Sequence, residues 1–139
     1  MSNTKTENAE PAAAQVHDIL IVGGGLVGLS LGIGLAKSGL EVVAIDREAP
    51  ATQTAPAFDG RASAIAHASV QMLQALEIWP QVTAPQPIQE IRVSVGASRL
   101  FLHFDHRDVG DQPLGYMAEN RHIRQALHKA AAATPGLRL

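Results

Sequence analysis

Three consecutive glycines, residues 23–25, interrupt a long apolar run and decide what that run can become. The segment 19–36 carries no charged side chain and comes close to the roughly 20 apolar residues that a membrane-spanning helix requires. Glycine also stands at Gly28, Gly32 and Gly34, each about 1 kcal/mol worse than alanine inside a helix. The triplet ends any helix that reaches it. Residues 18–22, DILIV, are β-branched at Ile19, Ile21 and Val22 and read as a parallel strand covered on both faces. Residues 26–38 have helical length, with Lys37 in the last turn and Gly39 as a C-terminal breaker. A second strand, residues 40–45, closes on Asp46. The segment is therefore strand, turn, helix and strand, not a membrane span.

That order is the context a G-x-G-x-x-G match needs before it counts, and the match is Gly23, Gly25 and Gly28. Gly23 permits the tight turn, and Gly25 lets backbone N–H groups approach a pyrophosphate with no Cβ in the way. Gly28 lets helix and strand pack closely. Gly24 completes the turn, and the helix N-terminus offers unpaired N–H groups to phosphates. Gly32 and Ala36 continue the stripe begun at Gly28, so small residues face the sheet. Asp46 follows Gly25 at close to the spacing of about 20 residues at which an acid meets ribose hydroxyls. A 2'-phosphate would be repelled there. The motif defines a dinucleotide site and leaves FAD and NAD equally open.

Composition removes other classes. Eleven Lys and Arg against thirteen Asp and Glu give a formal net charge of -2, so no basic field exists for nucleic acid. With no cysteine there are no disulfides, no thiolate catalysis and no Cys-based zinc site. The cluster His103, Asp105, His106 and Asp108 lacks any recognised ligand spacing and reads as a hairpin edge entering a solvated loop. No metal site is expected. His122 and His128, six apart on one helix, do not share a face. No G-x-S-x-G elbow occurs, so hydrolase chemistry has no foothold.

The remaining chain reads as a mixed α/β domain. Residues 1–17 form a polar, alanine-rich tail expected to be disordered, with no secretory signal pattern. Residues 49–58 are a Pro, Thr and Ala loop. Residues 69–79 form a helix with Ser69 as its cap and Pro80 as its stop. Ile91, Val93 and Val95 alternate with polar residues, as do Leu100, Leu102 and Phe104, around a turn at Gly96, Ala97 and Ser98. These residues form an inserted antiparallel hairpin. A polar loop at 105–113 leads to a strand in LGYMA, and Asn120 caps a helix over 121–133 whose apolar face is Ile123, Leu127, Ala130 and Ala131. The final LRL has the character of half a buried strand. The expectation is that residues 18–139 are the N-terminal, incomplete part of a larger nucleotide-binding domain.

Between the nucleotide unit and the hairpin lies FDGRASAIAHAS, residues 58–69. The glycine fingerprint with Asp46 and Arg47, followed by Asp59, Arg61, Ala64, Ile65 and Ser69, resembles the aromatic-ring hydroxylases that use FAD and NAD(P)H. LEIWPQV, PIQEIRVSV and LGYMAENRHIRQAL narrow the resemblance to the ubiquinone-biosynthesis hydroxylases of the UbiH/UbiF type, over nearly all of residues 18–139. The resemblance implies a Rossmann-like FAD-binding fold of the aromatic hydroxylase type, here truncated. It implies a flavin monooxygenase in which NAD(P)H is the reductant and a polyprenylated phenol the substrate. Gly23, Gly24, Gly25 and Gly28 would hold the FAD pyrophosphate, Asp46 the adenosine ribose and Arg47 the edge of the adenine region. Arg61 would approach the pyrophosphate or the flavin side, the alternative being a surface arginine in a loop. Glu119 stands where the broader flavin hydroxylases place Arg or Gln toward the cofactor. As an acid at a helix start it has a plain structural alternative. No residue of this segment is needed as a nucleophile, because the chemistry belongs to the cofactor. The implied location is cytoplasmic, with peripheral membrane or multi-enzyme association open to the intact enzyme. A free-standing or truncated FAD- or NAD-binding module without catalysis, or a fragment of an NAD-linked dehydrogenase, is the rival reading.

Overall fold

The computed structural model describes residues 15–96 and 99–139. In chain order the elements are β1 (Ile19–Val22), α1 (Leu26–Lys37), β2 (Val42–Ile45), α2 (Pro50–Gln53), β3 (Ala62–Ala66), α3 (His67–Ala75), β4 (Gln86–Ile88), β5 (Glu90–Ser94), β6 (Phe101–Asp105), β7 (Gly115–Glu119), α4 (Asn120–Ala133) and β8 (Leu137–Arg138). Most of the expected tail, residues 1–14, and Ala97 and Ser98 of the expected hairpin turn lie outside the described residues.

The strands β1, β2 and β8 form a parallel sheet with β2 in the middle. Ile19 pairs with Val42 and Val22 with Ile45, while Leu137 and Arg138 pair with Val42 and Val43. The closing LRL thus enters the sheet as its sequence suggests. α1 ends where Lys37 and Gly39 indicate: Gly39 takes φ +91° and donates to Ala36 O at 2.9 Å. Coverage of the sheet differs from the expectation of a strand buried on both faces. Val42 and Ala44 are fully buried beneath the helices, but Leu20 and Val22 are 62% and 80% exposed. Successive strand side chains point to opposite faces, and among the described residues only one face is covered. No helix among them is long and apolar enough to cross a membrane.

A second, antiparallel sheet has the order β3-β7-β4. Of these strands only β7 shows in the sequence pattern. β3 reads ASAIA, poor in the β-branched and aromatic residues that mark strands, and β4 is a three-residue edge containing Pro87. The helix expected at 69–79 instead starts at His67 and ends at Ala75, so Ser69 lies inside the first turn and is not the cap. The stop is Glu77 at φ +61°, which allows Ile78 N–H to reach back to Leu73 O at 2.9 Å, a closure of the Schellman type. Pro80 follows in a separate 3-10 turn.

The core lies where α1, α3, α4 and β7 meet: Leu29 and Ile33, Val70 and Leu73, Ile123 and Leu127, and Ala118. Ile78, Trp79 and Val82 close it from below, and Trp79 meets Tyr116 edge to face at 5.3 Å. The apolar stripe expected on the last helix, Ile123, Leu127, Ala130 and Ala131, is buried there. The hairpin of β5 and β6 also forms, with Ile91 opposite Phe104 and Val93 opposite Leu102.

Candidate dinucleotide site

The glycine turn is closely packed against its own helix. Gly23, at φ +114°, donates to Ile45 O at 2.8 Å and so bends the chain back over β2. A Cβ on Gly28 would stand 1.8 Å from Gly23 O, so only hydrogen fits where α1 crosses the turn. A Cβ on Gly32 would meet Leu137 and Ile21 at 3.1 and 3.4 Å, and the small-residue stripe does lie against the sheet. Gly25, the N-cap of α1, differs: a Cβ there meets nothing within 4 Å. Its outer side opens to solvent, so the approach to this backbone is free. The first intrahelical bond is Leu29 N–H to Gly25 O at 3.0 Å, leaving the N–H groups of Leu26, Val27 and Gly28 without intrahelical acceptors. With the helix dipole they present a partial positive charge.

Asp46 ties this turn to the end of β2. Its Oδ2 accepts from Gly24 N–H at 2.7 Å and its Oδ1 from Glu48 N–H at 2.8 Å. The Glu48 N–H does most to hold the carboxyl below the ordinary aspartate value, against a desolvation effect that raises it, with Gly24 contributing next. Each carboxylate oxygen keeps further lone-pair directions for a hydroxyl. A cleft of about 460 Å³ opens beyond the ends of β1 and β2, lined by Val22, Gly23, Ile45, Asp46 and Arg47. Ligands of open α/β sheets bind in this position, outside the carboxyl ends of the strands. The Arg47 side chain is 92% exposed, 3.5 Å from Glu48.

Arg61 and Glu119 form a second group. Asp59, almost fully buried, receives Arg61 in a fork, Nε to Oδ1 at 2.9 Å and Nη2 to Oδ2 at 3.0 Å. It also accepts from Asn120 Nδ2 at 2.9 Å and from Arg124 Nη2 at 2.8 Å. These partners, Arg61 first, hold the Asp59 carboxyl far below the usual range. Arg124 packs over the Phe58 ring at 5.1 Å. The rest of the Arg61 side chain is open to solvent, available to an anion. Glu119 pairs with Ala62 across β3 and β7 and forms an ion pair with Arg121 at 2.6 Å.

Asn120 departs from its expected role. It is the first residue of α4, not a cap; its Oδ1 accepts from Ser63 Oγ at 2.6 Å while its amide holds Asp59. Nothing local in the sequence signals this, because the partners lie across two elements. The expected histidine and acid cluster is also rearranged: His103 meets Glu90 at 3.3 Å, and Asp105 is taken by a fork from Arg107 at 2.9 and 2.6 Å. Ligand atoms of Glu90, His103 and Asp105 lie within 4.8 Å of one another, and these pairings already use them.

A parallel sheet with a glycine turn at its carboxyl end, an acid closing the second strand and a helix aimed at the turn define a dinucleotide-binding α/β domain. The chain belongs to the FAD binding domain family, whose model matches residues 16–138. It is 47% identical over 117 residues to the ubiquinone hydroxylase UbiL of Rhodospirillum rubrum, a match covering 84% of this chain and 27% of that protein. It is 38% identical over 127 residues to the 3-demethoxyubiquinol 3-hydroxylase of Escherichia coli, covering 90% and 32%. Among solved structures it is similar to PqsL of Pseudomonas aeruginosa, with a TM-score of 0.69 at 18% identity over 88% of this chain and 32% of that one. The p-nitrophenol 4-monooxygenase PnpA of Pseudomonas putida gives 0.63 at 20% identity, covering 88% and 30%. The fold expected from the resemblance is borne out. The chain spans about a quarter to a third of the length of these relatives.

Proposed function

We propose that residues 18–139 are the adenosine-binding, N-terminal part of the FAD domain of an NAD(P)H-dependent monooxygenase that hydroxylates a polyprenylated phenol in ubiquinone biosynthesis. The observation that carries this reading is the glycine turn: Gly28 packed on Gly23 O, Gly25 open to the outside, and Asp46 bound to Gly24 N–H. Gly23 and Gly24, whose N–H groups are held by Ile45 O and Asp46, shape the turn, while Gly25 and Gly28 sit where the backbone N–H groups at the start of α1 and its dipole meet the pyrophosphate. Asp46 accepts from the adenosine ribose, and Arg47 borders the adenine. Arg61, pre-oriented by Asp59, offers its remaining donors to the pyrophosphate or flavin side. Glu119 reaches the cofactor only if its ion pair with Arg121 opens. The flavin, reduced by NAD(P)H, supplies the oxygen transfer to the ring. This segment's own task is binding and orientation. A prenylated substrate is drawn from a bilayer, which fits peripheral membrane or multi-enzyme association of the intact enzyme.

FAD binding by the purified chain, followed by flavin fluorescence and thermal shift with NAD as comparator, tests the reading. Micromolar FAD binding, lost in Gly25→Leu while the fold persists, is expected, since a Cβ at that position meets no atom within 4 Å. Preferential binding of NAD would overturn it.

A further inference from the structure

The acid of the dinucleotide site is not held by its own strand alone. α2 is a single turn, and its last residue, Gln53, is 4% exposed. Burying a primary amide is costly unless its groups are bonded. Here Nε2 donates to Glu48 O at 3.1 Å, and Oε1 stands 3.3 Å from His128 Nε2 on α4. Glu48 in turn is the residue whose N–H holds Asp46 Oδ1 at 2.8 Å. Polar contacts therefore lead from α4 to the glycine turn: His128 to Gln53, Gln53 to the Glu48 carbonyl and, across the Glu48 Cα, the Glu48 N–H to Asp46 and Asp46 to the Gly24 N–H. Burial, then the neighbouring Arg124, lower the His128 pKa against the pull of Asp46, which favours a neutral ring. The tautomer with its proton on Nε2 donates to Gln53 Oε1.

We propose that Gln53 and His128 are positioning residues for the cofactor acid, fixing the Asp46 carboxylate through the Glu48 backbone in the orientation that meets the ribose. The proposal rests on the FAD reading for its ligand, and the bracing itself does not. Three facts favour a brace over simple filling of a turn. Gln53 uses both ends of its amide, one toward each neighbour. Its amide also helps hold the Asp46 carboxyl low. Asp46, Glu48 and Gln53 line one cleft of about 210 Å³ at the end of β2. Without the brace Asp46 would keep its bonds to the Gly24 and Glu48 N–H groups, but the Glu48 backbone would lose the Gln53 contact that fixes it.

The test uses the 139-residue chain with Gln53→Met, His128→Phe and His128→Gln. The first two remove the amide chain at similar volume, and the third restores a donor toward Gln53. Carbon-detected NMR follows the Asp46 carboxyl through acid titration without ligand, and FAD and ADP are titrated separately. The expected result is that Gln53→Met and His128→Phe move Asp46 toward the ordinary aspartate value and weaken FAD and ADP about 3- to 10-fold, the worth of one hydrogen bond. His128→Gln should stay near wild type. An Asp46 titration unchanged in both Gln53→Met and His128→Phe overturns the brace. If Asp46 shifts but the wild-type chain binds neither FAD nor ADP, the brace stands and the FAD reading falls. If FAD binds and Asp46 shifts with no change in affinity, positioning for the ribose is overturned.

Discussion

The β1-α1-β2 unit has wholly apolar strands and the β5-β6 hairpin has alternating ones, and they solve opposite problems. In the first, Gly28 lies so close to Gly23 O that no other residue fits, and Leu29 and Ile33 are buried to 1% or less. In the hairpin, Ile91, Val93, Leu102 and Phe104 share one face and each is 41–65% exposed. The strands pair without burying that face among the described residues. One region obtains its order from close packing on other elements, the other from backbone pairing and cross-strand contacts alone. Sequence patterns of similar strength thus carry different stability, depending on what lies over them.

The largest expected effect comes from adding volume to the tight unit. Gly28→Val places atoms inside the Gly23 carbonyl contact and should cost more than about 3 kcal/mol, enough to abolish cooperative unfolding in a marginal chain. The matching change in the hairpin, Gly96→Ala, meets nothing within 4 Å and must tolerate only φ +55°, a cost of about 1 kcal/mol. Urea unfolding of the two variants side by side measures the contrast. Comparable losses would mean that the turn can relax around Gly28.

Next in size is the removal of a leucine side chain. Leu127 is fully buried between α4 and the core, and Leu127→Ala should cost about 2–5 kcal/mol. Leu102 is 65% exposed, and Leu102→Ala should stay within about 0.5 kcal/mol. If the Leu102 variant loses as much as the Leu127 variant, the apolar hairpin face is covered in solution. A self-associating chain would show this as a concentration-dependent loss.

Legibility follows the range of the forces involved. The parallel unit is readable because turn, helix stop and acid all act within a few dozen residues: Gly23 and Gly39 take positive φ, and Asp46 stands directly after β2. The hairpin was readable from period-two alternation. β3 was not, because ASAIA takes its strand state from pairing with β7 rather than from its own propensity. Glu77 at positive φ leaves no mark in the sequence, so the apolar pattern runs past the true end of α3. At the site, the glycines and Asp46 could be found from spacing. The Asp59 network and the Gln53 bridge could not, because Asp59 reaches Asn120 and Arg124 across 61 and 65 positions, and Gln53 reaches His128 across 75.

Acid sharpens the comparison at the smallest scale, because the hairpin and the segment that leads from the nucleotide unit into β3 each contain one aspartate in an arginine fork. Asp59 and Asp105 both have carboxyl pKa values lowered chiefly by their arginines, Arg61 and Arg107. A depressed value in the folded state means that stabilisation is fully present above the unfolded aspartate value near about 3.9 and is lost as pH falls toward the folded value. Both groups therefore favour the fold at neutral pH and release it below about pH 4. Their reach differs. Asp59 joins the start of β3 to α4 through Asn120 and Arg124, whereas Asp105 holds only Arg107, two residues away. Asp59→Asn should flatten the acid limb of global unfolding between pH 4 and 2 and lower stability at pH 7. Asp105→Asn should change the acid limb less than Asp59→Asn does, and should speed amide exchange chiefly in the 3-10 turn that follows β6, where Arg107 N–H bonds Asp105 at 2.9 Å. Stability measured against pH for the two variants separates a tie between elements from a tie within a loop; matching acid limbs would make the hairpin as integral to the fold as the nucleotide unit.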